Sequence, residues 1–442
     1  MRKPKTKPED LLSIANIPEL KRRLFYLFLG LTIYRLVIHI PTPGINTEAF
    51  VAFFERAAGT IFGFLDIFSG GALRNFSVGA LGVMPYISAS IIMELMKAVF
   101  PTLKELSQEG PEGRRKLAYY TRYLTLIICI IQGLGIALGL ERMVAPNGEP
   151  IVIEPGWSFR LITVVSLTAG TMFLVWLGEQ MTEHGIGNGI SIIIFAGIVA
   201  GIFPAIGRVV KFIQTGEFSV IGFLFILLLL LLILLFTCFM ELAHRRVPIH
   251  YAKRQVGRQI LGGQTTYLPI KVNTAGVIPP IFASAVLMFP ATISQFFPIE
   301  PVRKVASVFT FGNLIYEVTF AILIIFFCYF YTAIIFNPKE VADNLKKWGG
   351  FIPGIRPGRD TEEFLNKILT RITLIGALYV AFICVIPSFF IKNLNLPFYF
   401  GGTSLLIVVG VAMDLMAQLE THLLSRHYDT ILKQTKIKTR IK

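Results

Sequence analysis

The residues that could do chemistry are few and scattered. Gly185-Ile186-Gly187-Asn188-Gly189 has the glycine density of a phosphate cradle. A cradle of that kind follows a β-strand or precedes a Walker lysine, and these glycines follow an apolar run with neither. The segment reads instead as a tight turn, because glycine adopts turn conformations at little steric cost. The six histidines form no HExxH pair and no nucleophile–base pair, so hydrolytic chemistry lacks its parts. Cys129, Cys238, Cys328 and Cys384 lie in four different apolar runs. They have neither metal-ligand spacing nor a disulfide framework and read as small apolar side chains. The chain is expected to be no enzyme and to hold no metal, cofactor or ATP.

Charges inside apolar runs are the next place to look, since a mid-membrane charge costs on the order of 3 kcal/mol and usually marks a function. Arg35, Glu94, Glu179, Glu241 and Asp414 all sit near the ends of such runs. No central chain of carboxylates and histidines exists, which argues against a proton-driven pump. The polar residues at depth are neutral: Ser88, Ser90, Gln132, Thr168 and Asn273. Such groups join helices by hydrogen bonds of about 1 kcal/mol or less. Gly135 and Gly139 form a GxxxG that reads as helix packing.

These residues must be positioned by membrane helices. The chain has 442 residues, 54% hydrophobic and only 16% charged, whereas a soluble chain carries about a quarter charged. Val220 to Phe236 has no charge and is apolar on every face, which suits a span rather than an amphipathic helix. The hydrophobic pattern predicts ten spans, at 24–41, 76–98, 118–140, 158–180, 188–207, 218–241, 274–296, 313–336, 371–391 and 402–422. The first run ends in HIPTPGI with no small-x-small site, so no cleavable signal is expected there.

The net charge of +15 has a topological reading. With both termini inside, cytoplasmic segments hold 32 of the 42 Lys and Arg residues. That asymmetry places both ends in the cytoplasm. Ten spans split into five-helix halves at 24–207 and 218–425, with 1–23 a cytoplasmic segment, 208–217 an external hinge and 426–442 a basic tail. An odd number of spans per half gives the halves opposite topology, as in inverted repeats. Two features interrupt the plain spans. Thr60 to Asn75 is amphipathic, too short to cross and broken by Gly70-Gly71, so its backbone must be satisfied by protein or a wet cavity. The loops at 242–273 and 337–370 far exceed what a helix connection needs.

Long blocks now carry a resemblance. FSGGAL and LGVMPYISASIIMEL within Phe68 to Leu95, GEQMTEHGIGNGISIIIFAGIVAG (178–201) and LPIKVNTAGVIPPIFASAV (268–286) resemble the SecY family, the channel subunits of the bacterial protein translocase. So do GGFIPGIRPGRDT (349–361), RITLIGALYVAFICVIP (371–387) and FGGTSLLIVVGVAMDLMAQLE (400–420). The resemblance implies an all-α integral membrane protein of about ten transmembrane helices, in two inverted halves around a central pore. It implies passage of unfolded secretory polypeptides across the bacterial cytoplasmic (inner) membrane and sideways release of apolar helices into lipid.

Residue by residue, the resemblance implies a pore ring of Val83, Ile87, Ile190, Ile194, Ile281 and Ile407. Apolar rings gate by dewetting, and they pack around a sliding chain without holding it. A half-helix plug would use Thr60, Phe64, Ile67, Phe68, Gly70, Gly71 and Leu73. A lateral gate, between spans two and three on one side and seven and eight on the other, would include Ser88 and Gln132. Arg245, Arg246, Lys253, Arg254, Arg258 and Arg356 would dock partners. The implied partners are SecE-like and SecG-like small membrane subunits, the SecA motor, the ribosome, polypeptides bearing signal sequences, and membrane lipid. A secondary transporter of a small solute is the alternative, since it shares inverted repeats and a broken helix, but it needs a mid-membrane site that the sequence lacks.

Overall fold

The structure, a computed structural model, describes residues 18–57, 66, 69–141, 143, 148–215, 220–251, 254–256, 259–261, 265–296, 313–393 and 401–434. Every one of the ten predicted spans coincides with a helix. In chain order these are α1 (Pro18–Ile38), α3 (Met84–Val99), α5 (Pro111–Glu141), α6 (Trp157–His184), α7 (Gly189–Gln214), α8 (Val220–Leu242), α9 (Ile278–Phe296), α10 (Leu314–Ile335), α12 (Arg359–Asn393) and α13 (Gly402–Gln434). Among the described residues, α5, α6, α7, α10, α12 and α13 each contain a stretch long and apolar enough to cross a bilayer unaided. Shorter helices α2 (Thr47–Ala57), α4 (Pro101–Gln108) and α11 (Pro338–Lys347) lie between spans.

Several boundaries differ from the sequence reading. The second span begins at Met84 rather than residue 76, because Phe76 and Gly82 adopt positive φ and residues 72–83 form consecutive turns. It ends in a 103° bend into α4. Phe100 is extended there, as a residue before proline prefers. The α7 helix continues through Pro204 to Gln214, across most of the stretch read as a hinge. The α13 helix runs on to Gln434, well into the basic tail.

The class is helical, but the two long loops add strands that the all-α expectation omitted. Strand β1 (His244–Tyr251) pairs antiparallel with β4 (Thr265–Lys271), His244 opposite Lys271. A hairpin of β2 (Arg254–Val256) and β3 (Gln259–Leu261) lies between them in sequence. The second loop supplies β5 (Gly350–Phe351), which pairs with the other edge of β1 through His250 and Tyr251. Hydropathy could not show this, because the pairing joins segments about a hundred residues apart.

The chain separates into two compact units, Met1–Gly207 with Gly410–Lys442, and Arg208–Val409. In the first, α1 packs on α6, α3 on α5 and on α6, and α5 on α6. In the second, α8 packs on α12, α9 on α10 and on α12, and α10 on α12. Counting spans within each unit, both patterns are first on fourth, second on third and fourth, third on fourth. The same neighbour relations recur, as inverted repeats require.

Small residues set these approaches. The buried row on α5 steps by four residues through Leu117, Thr121, Thr125, Cys129, Gly133 and Ala137. A Cβ on Gly133 would come 3.4 Å from the Val164 Cα of α6. Gly139 of the predicted GxxxG faces open space, whereas its partner Gly135 is buried, as Gly133 is. In the second unit the sheet covers the first part of α12 through a core of Val247, Ile270, Ile352, Leu365, Leu369 and Ile372. Leu365 is fully buried. Leu365→Ala should cost about 2–5 kcal/mol. The expected result is a lower thermal midpoint and faster protease cleavage within 242–273.

Candidate functional site

The proposed ring residues fall on four elements. Val83 is the N-cap residue of α3, and its carbonyl accepts from the Ile87 amide at 3.1 Å. The two side chains therefore stand one turn apart on one face. Ile190 and Ile194 stand one turn apart on α7. Ile281 lies in the first turn of α9, where its carbonyl accepts from the Ser284 hydroxyl at 2.8 Å. Ile407 lies on α13. Val83, Ile194 and Ile407 are buried, while Ile87, Ile190 and Ile281 are half-buried. A Cβ on Gly178 would meet Ile190 Cγ1 at 2.7 Å, so Ile190 also packs on α6.

Of the plug residues, Gly70, Gly71 and Leu73 are described, and Thr60, Phe64, Ile67 and Phe68 lie outside the described residues. Asp66 organises the turn. Its side-chain Oδ1 accepts from the Arg74 amide at 2.9 Å and its carbonyl from the Gly71 amide at 3.0 Å. Ser69 Oγ donates to the Asp66 carbonyl at 3.1 Å and accepts from the Leu73 amide at 3.2 Å. Sequence reading missed what this turn rests on: the Tyr34 hydroxyl donates to the Ser69 carbonyl at 3.3 Å and Arg35 Nη1 to the Gly70 carbonyl at 3.0 Å. Arg35 in the first span was the available signal.

Ser88 and Gln132 are half-buried on α3 and α5, and no side-chain hydrogen bond joins them among the described residues. Arg245 and Arg246 are exposed on β1. Arg356 is exposed on the turn after β5, between Gly354 and Gly358 at positive φ, and its carbonyl accepts from Thr361 Oγ1 at 2.8 Å. The β1–β5 pairing joins those two basic loops into one module. Arg254 belongs to β2, and Lys253 and Arg258 lie outside the described residues.

Of the charges at span ends, Glu94, Glu179 and Glu241 have side-chain partners and Arg35 a main-chain one, while Asp414 is exposed. Arg122 Nε and Nη2 reach Glu179 at 2.9 and 2.7 Å, joining α5 to α6. At the other end of the same helix pair, Arg160 Nε and Nη2 reach Glu141 at 3.0 and 2.7 Å. Lys97 pairs with Glu94 at 2.6 Å. Asn273 Nδ2 donates to Glu241 at 2.6 Å and its Oδ1 accepts from the Gly276 amide at 3.1 Å. The glycine-rich 185–189 segment is a turn, as read. Thr182 Oγ1 accepts from the Gly189 amide at 2.8 Å, Gln418 Oε1 from the Gly187 amide at 2.7 Å, and Arg23 Nη1 donates to the Gly185 carbonyl at 3.2 Å.

Helices matching ten apolar runs, in two similarly packed units with a tied-down turn before the second span and a small antiparallel sheet, define a polytopic helical membrane protein. The SecY family model matches residues 77–416. Over 428 residues, 96% of each chain, the sequence is 50% identical to protein translocase subunit SecY of Escherichia coli K12. The chain belongs to the SecY family. The fold matches a SecY channel whose plug domain stabilises its closed state and maintains a membrane seal, at TM-score 0.65 and 18% identity, covering 98% of this chain and 100% of that one. It also matches Sec61 of the canine ribosome–channel complex from the endoplasmic reticulum, at TM-score 0.61 and 18% identity with the same coverage. The solute-transporter alternative gains no support from these relatives.

The ion pairs differ in burial, and that decides their worth. Glu141 is 11% exposed, whereas Arg122 and Glu179 are 40% and 28% exposed. Arg160→Gln removes the charge partner of a nearly buried carboxylate, which still accepts from the Gly156 amide, and should lower the thermal midpoint more than Arg122→Gln does. Arg122→Gln should cost about 1 kcal/mol or less. Thermal unfolding in nanodiscs checks both, and the charge-swapped E141R/R160E chain should recover most of the first loss.

Proposed function

We propose that this chain is the channel-forming subunit of a bacterial translocase, passing unfolded secretory polypeptides across the cytoplasmic membrane and releasing apolar helices sideways into lipid. The observation that carries this reading is half identity, over nearly its whole length, to a translocase subunit. Val83, Ile87, Ile190, Ile194, Ile281 and Ile407 form the constriction. Aliphatic side chains give ions and water no partner, so the narrow ring stays dry at rest. The same side chains press on any passing peptide without a polar grip, so the peptide can slide.

The segment 60–75, including Thr60, Phe64, Ile67, Phe68, Gly70, Gly71 and Leu73, acts as the plug. Ser88 and Gln132 belong to the seam of the lateral gate. Weak polar contacts there let an apolar signal helix part the seam, because that helix gains more by entering lipid. The halves 24–207 and 218–425 flank the path, with 208–217 as the external connection. Both termini face the cytoplasm, supported by the Lys and Arg asymmetry.

Arg245, Arg246, Lys253, Arg254, Arg258 and Arg356 present positive charge to whatever feeds the pore, either the SecA motor or the ribosome. Sec61 in a ribosome–channel complex supports the second of these. SecE-like and SecG-like subunits complete the assembly. The chain itself performs no chemistry, and energy comes from the partner.

Single cysteines replacing Ile87, Ile194, Ile281 and Ile407 should each crosslink to one secretory chain stalled in membrane vesicles. Failure of all four with export intact would sink the pore assignment. Arg356→Glu should slow motor-driven export at least about tenfold while leaving thermal stability unchanged, because the side chain is exposed. Unaltered export kinetics would remove Arg356 from the docking surface.

A further inference from the structure

The turn after Asp66 is held by more than its own hydrogen bonds. Tyr34 is 1% exposed on α1, and its hydroxyl is committed to the Ser69 carbonyl. The neighbouring Arg35 guanidinium carbon lies 5.8 Å from the Tyr34 ring centre, and Arg35 donates to the Gly70 carbonyl. Gly70 has φ +70°, and a Cβ there would collide with the Tyr34 hydroxyl and lie 2.8 Å from the Gly197 Cα of α7. From the other side, a Cβ on Gly197 would lie 2.9 Å from the Tyr34 hydroxyl and 3.1 Å from the Gly70 Cα. Two glycine backbones and one phenol thus form a single tight contact. A second tie follows, where the Val78 amide donates to the Ile40 carbonyl at 2.9 Å and the Thr42 amide to the Phe76 carbonyl at 3.0 Å.

We propose that Tyr34 and Arg35 are positioning residues of the plug, holding Ser69–Gly70 in the Gly197 notch as a reversible latch that sets how readily the plug leaves its closed place. This rests on the plug reading given under Proposed function. Ser69 is the last helical residue before the turn and Gly70 lies in the turn itself, so both carbonyls stand at a helix end outside the spans and the bonds can be released without unwinding any span. Once the path is wet, water can take over the released donors and acceptors, so opening leaves no buried polar group stranded. The closed state is therefore favoured by a few hydrogen bonds and one close contact. That is a gap a signal segment could overcome by binding the open state better.

The test uses vesicles containing the full assembled translocase with Tyr34→Phe, Arg35→Gln, Arg35→Lys, Gly197→Ala or a deletion of residues 60–68. Two quantities are read: ion leak without substrate, and export of a reporter with a defective signal sequence. Tyr34→Phe and Arg35→Gln should each raise both by about fivefold, the population shift from losing one ordinary hydrogen bond. Arg35→Lys should stay near the unaltered protein, and Gly197→Ala should shift in the leaky direction. If the deletion leaks while Tyr34→Phe and Arg35→Gln do not, the latch is wrong and the plug reading stands. If the deletion changes neither quantity, the plug reading fails and the latch with it. Should Arg35→Gln not accumulate in the membrane, Tyr34→Phe, which removes one hydroxyl and leaves the ring, decides the question.

Discussion

Inside a bilayer no water is at hand to take up an unpaired amide, carbonyl or charge, and the rest of this structure depends on meeting that constraint. The helices meet it internally. The turns from Ser69 to Val83 cannot, so neighbouring helices must supply partners. Tyr34 and Arg35 from α1 do so, as does the short bridge that joins Ile40 and Thr42 to Phe76 and Val78. Gly70, Gly170 and Gly197 let those backbones come close enough, since a Cβ at any of them would run into its neighbour. A half-crossing segment is possible here because its surroundings were shaped to receive it.

The same constraint explains the pair α5 and α6. Their shared face is lined with Thr121, Thr125, Cys129, Gly133 and Ala137 on one side, small groups that allow close packing without burying charge. The charges are kept for the two ends. Nineteen residues separate Arg122 from Glu141, and nineteen separate Arg160 from Glu179. At 1.5 Å per residue that is about 28 Å, close to the roughly 30 Å of a hydrocarbon core. The two pairs, opposite in sense, fix the register of the antiparallel helices. A one-turn slip would separate both pairs at once.

Outside the bilayer the demands reverse. Arg245, Arg246 and Arg356 stay exposed, and the module that carries them has its own small core on α12. Leu365 and Leu369 are buried in that core, away from the exposed charges. Exposed charge and folding core are therefore carried by different residues of the module.

Much of this was legible in the residue order alone. Long apolar runs set the ten spans, because a helix in lipid must be apolar over about twenty residues whatever it packs against. Gly70-Gly71 marked a segment too short to cross. The glycines of 185–189 were readable as a turn because no strand or lysine accompanied them. Other features required distant residues to meet. The sheet joins β1 to β5 across about a hundred residues. Arg122 finds Glu179 only after two spans pack side by side. Hydropathy also overstated the second span, since backbone dihedrals at Phe76 and Gly82 decide where that helix begins. Local composition fixes what each segment can be, because lipid tests every residue separately. Tertiary structure decides which polar group answers which, because a hydrogen bond or ion pair exists only when both partners arrive. The segment around Gly70-Gly71 stands out in sequence by its length, and only the folded contacts show Tyr34 and Arg35 donating to its main chain.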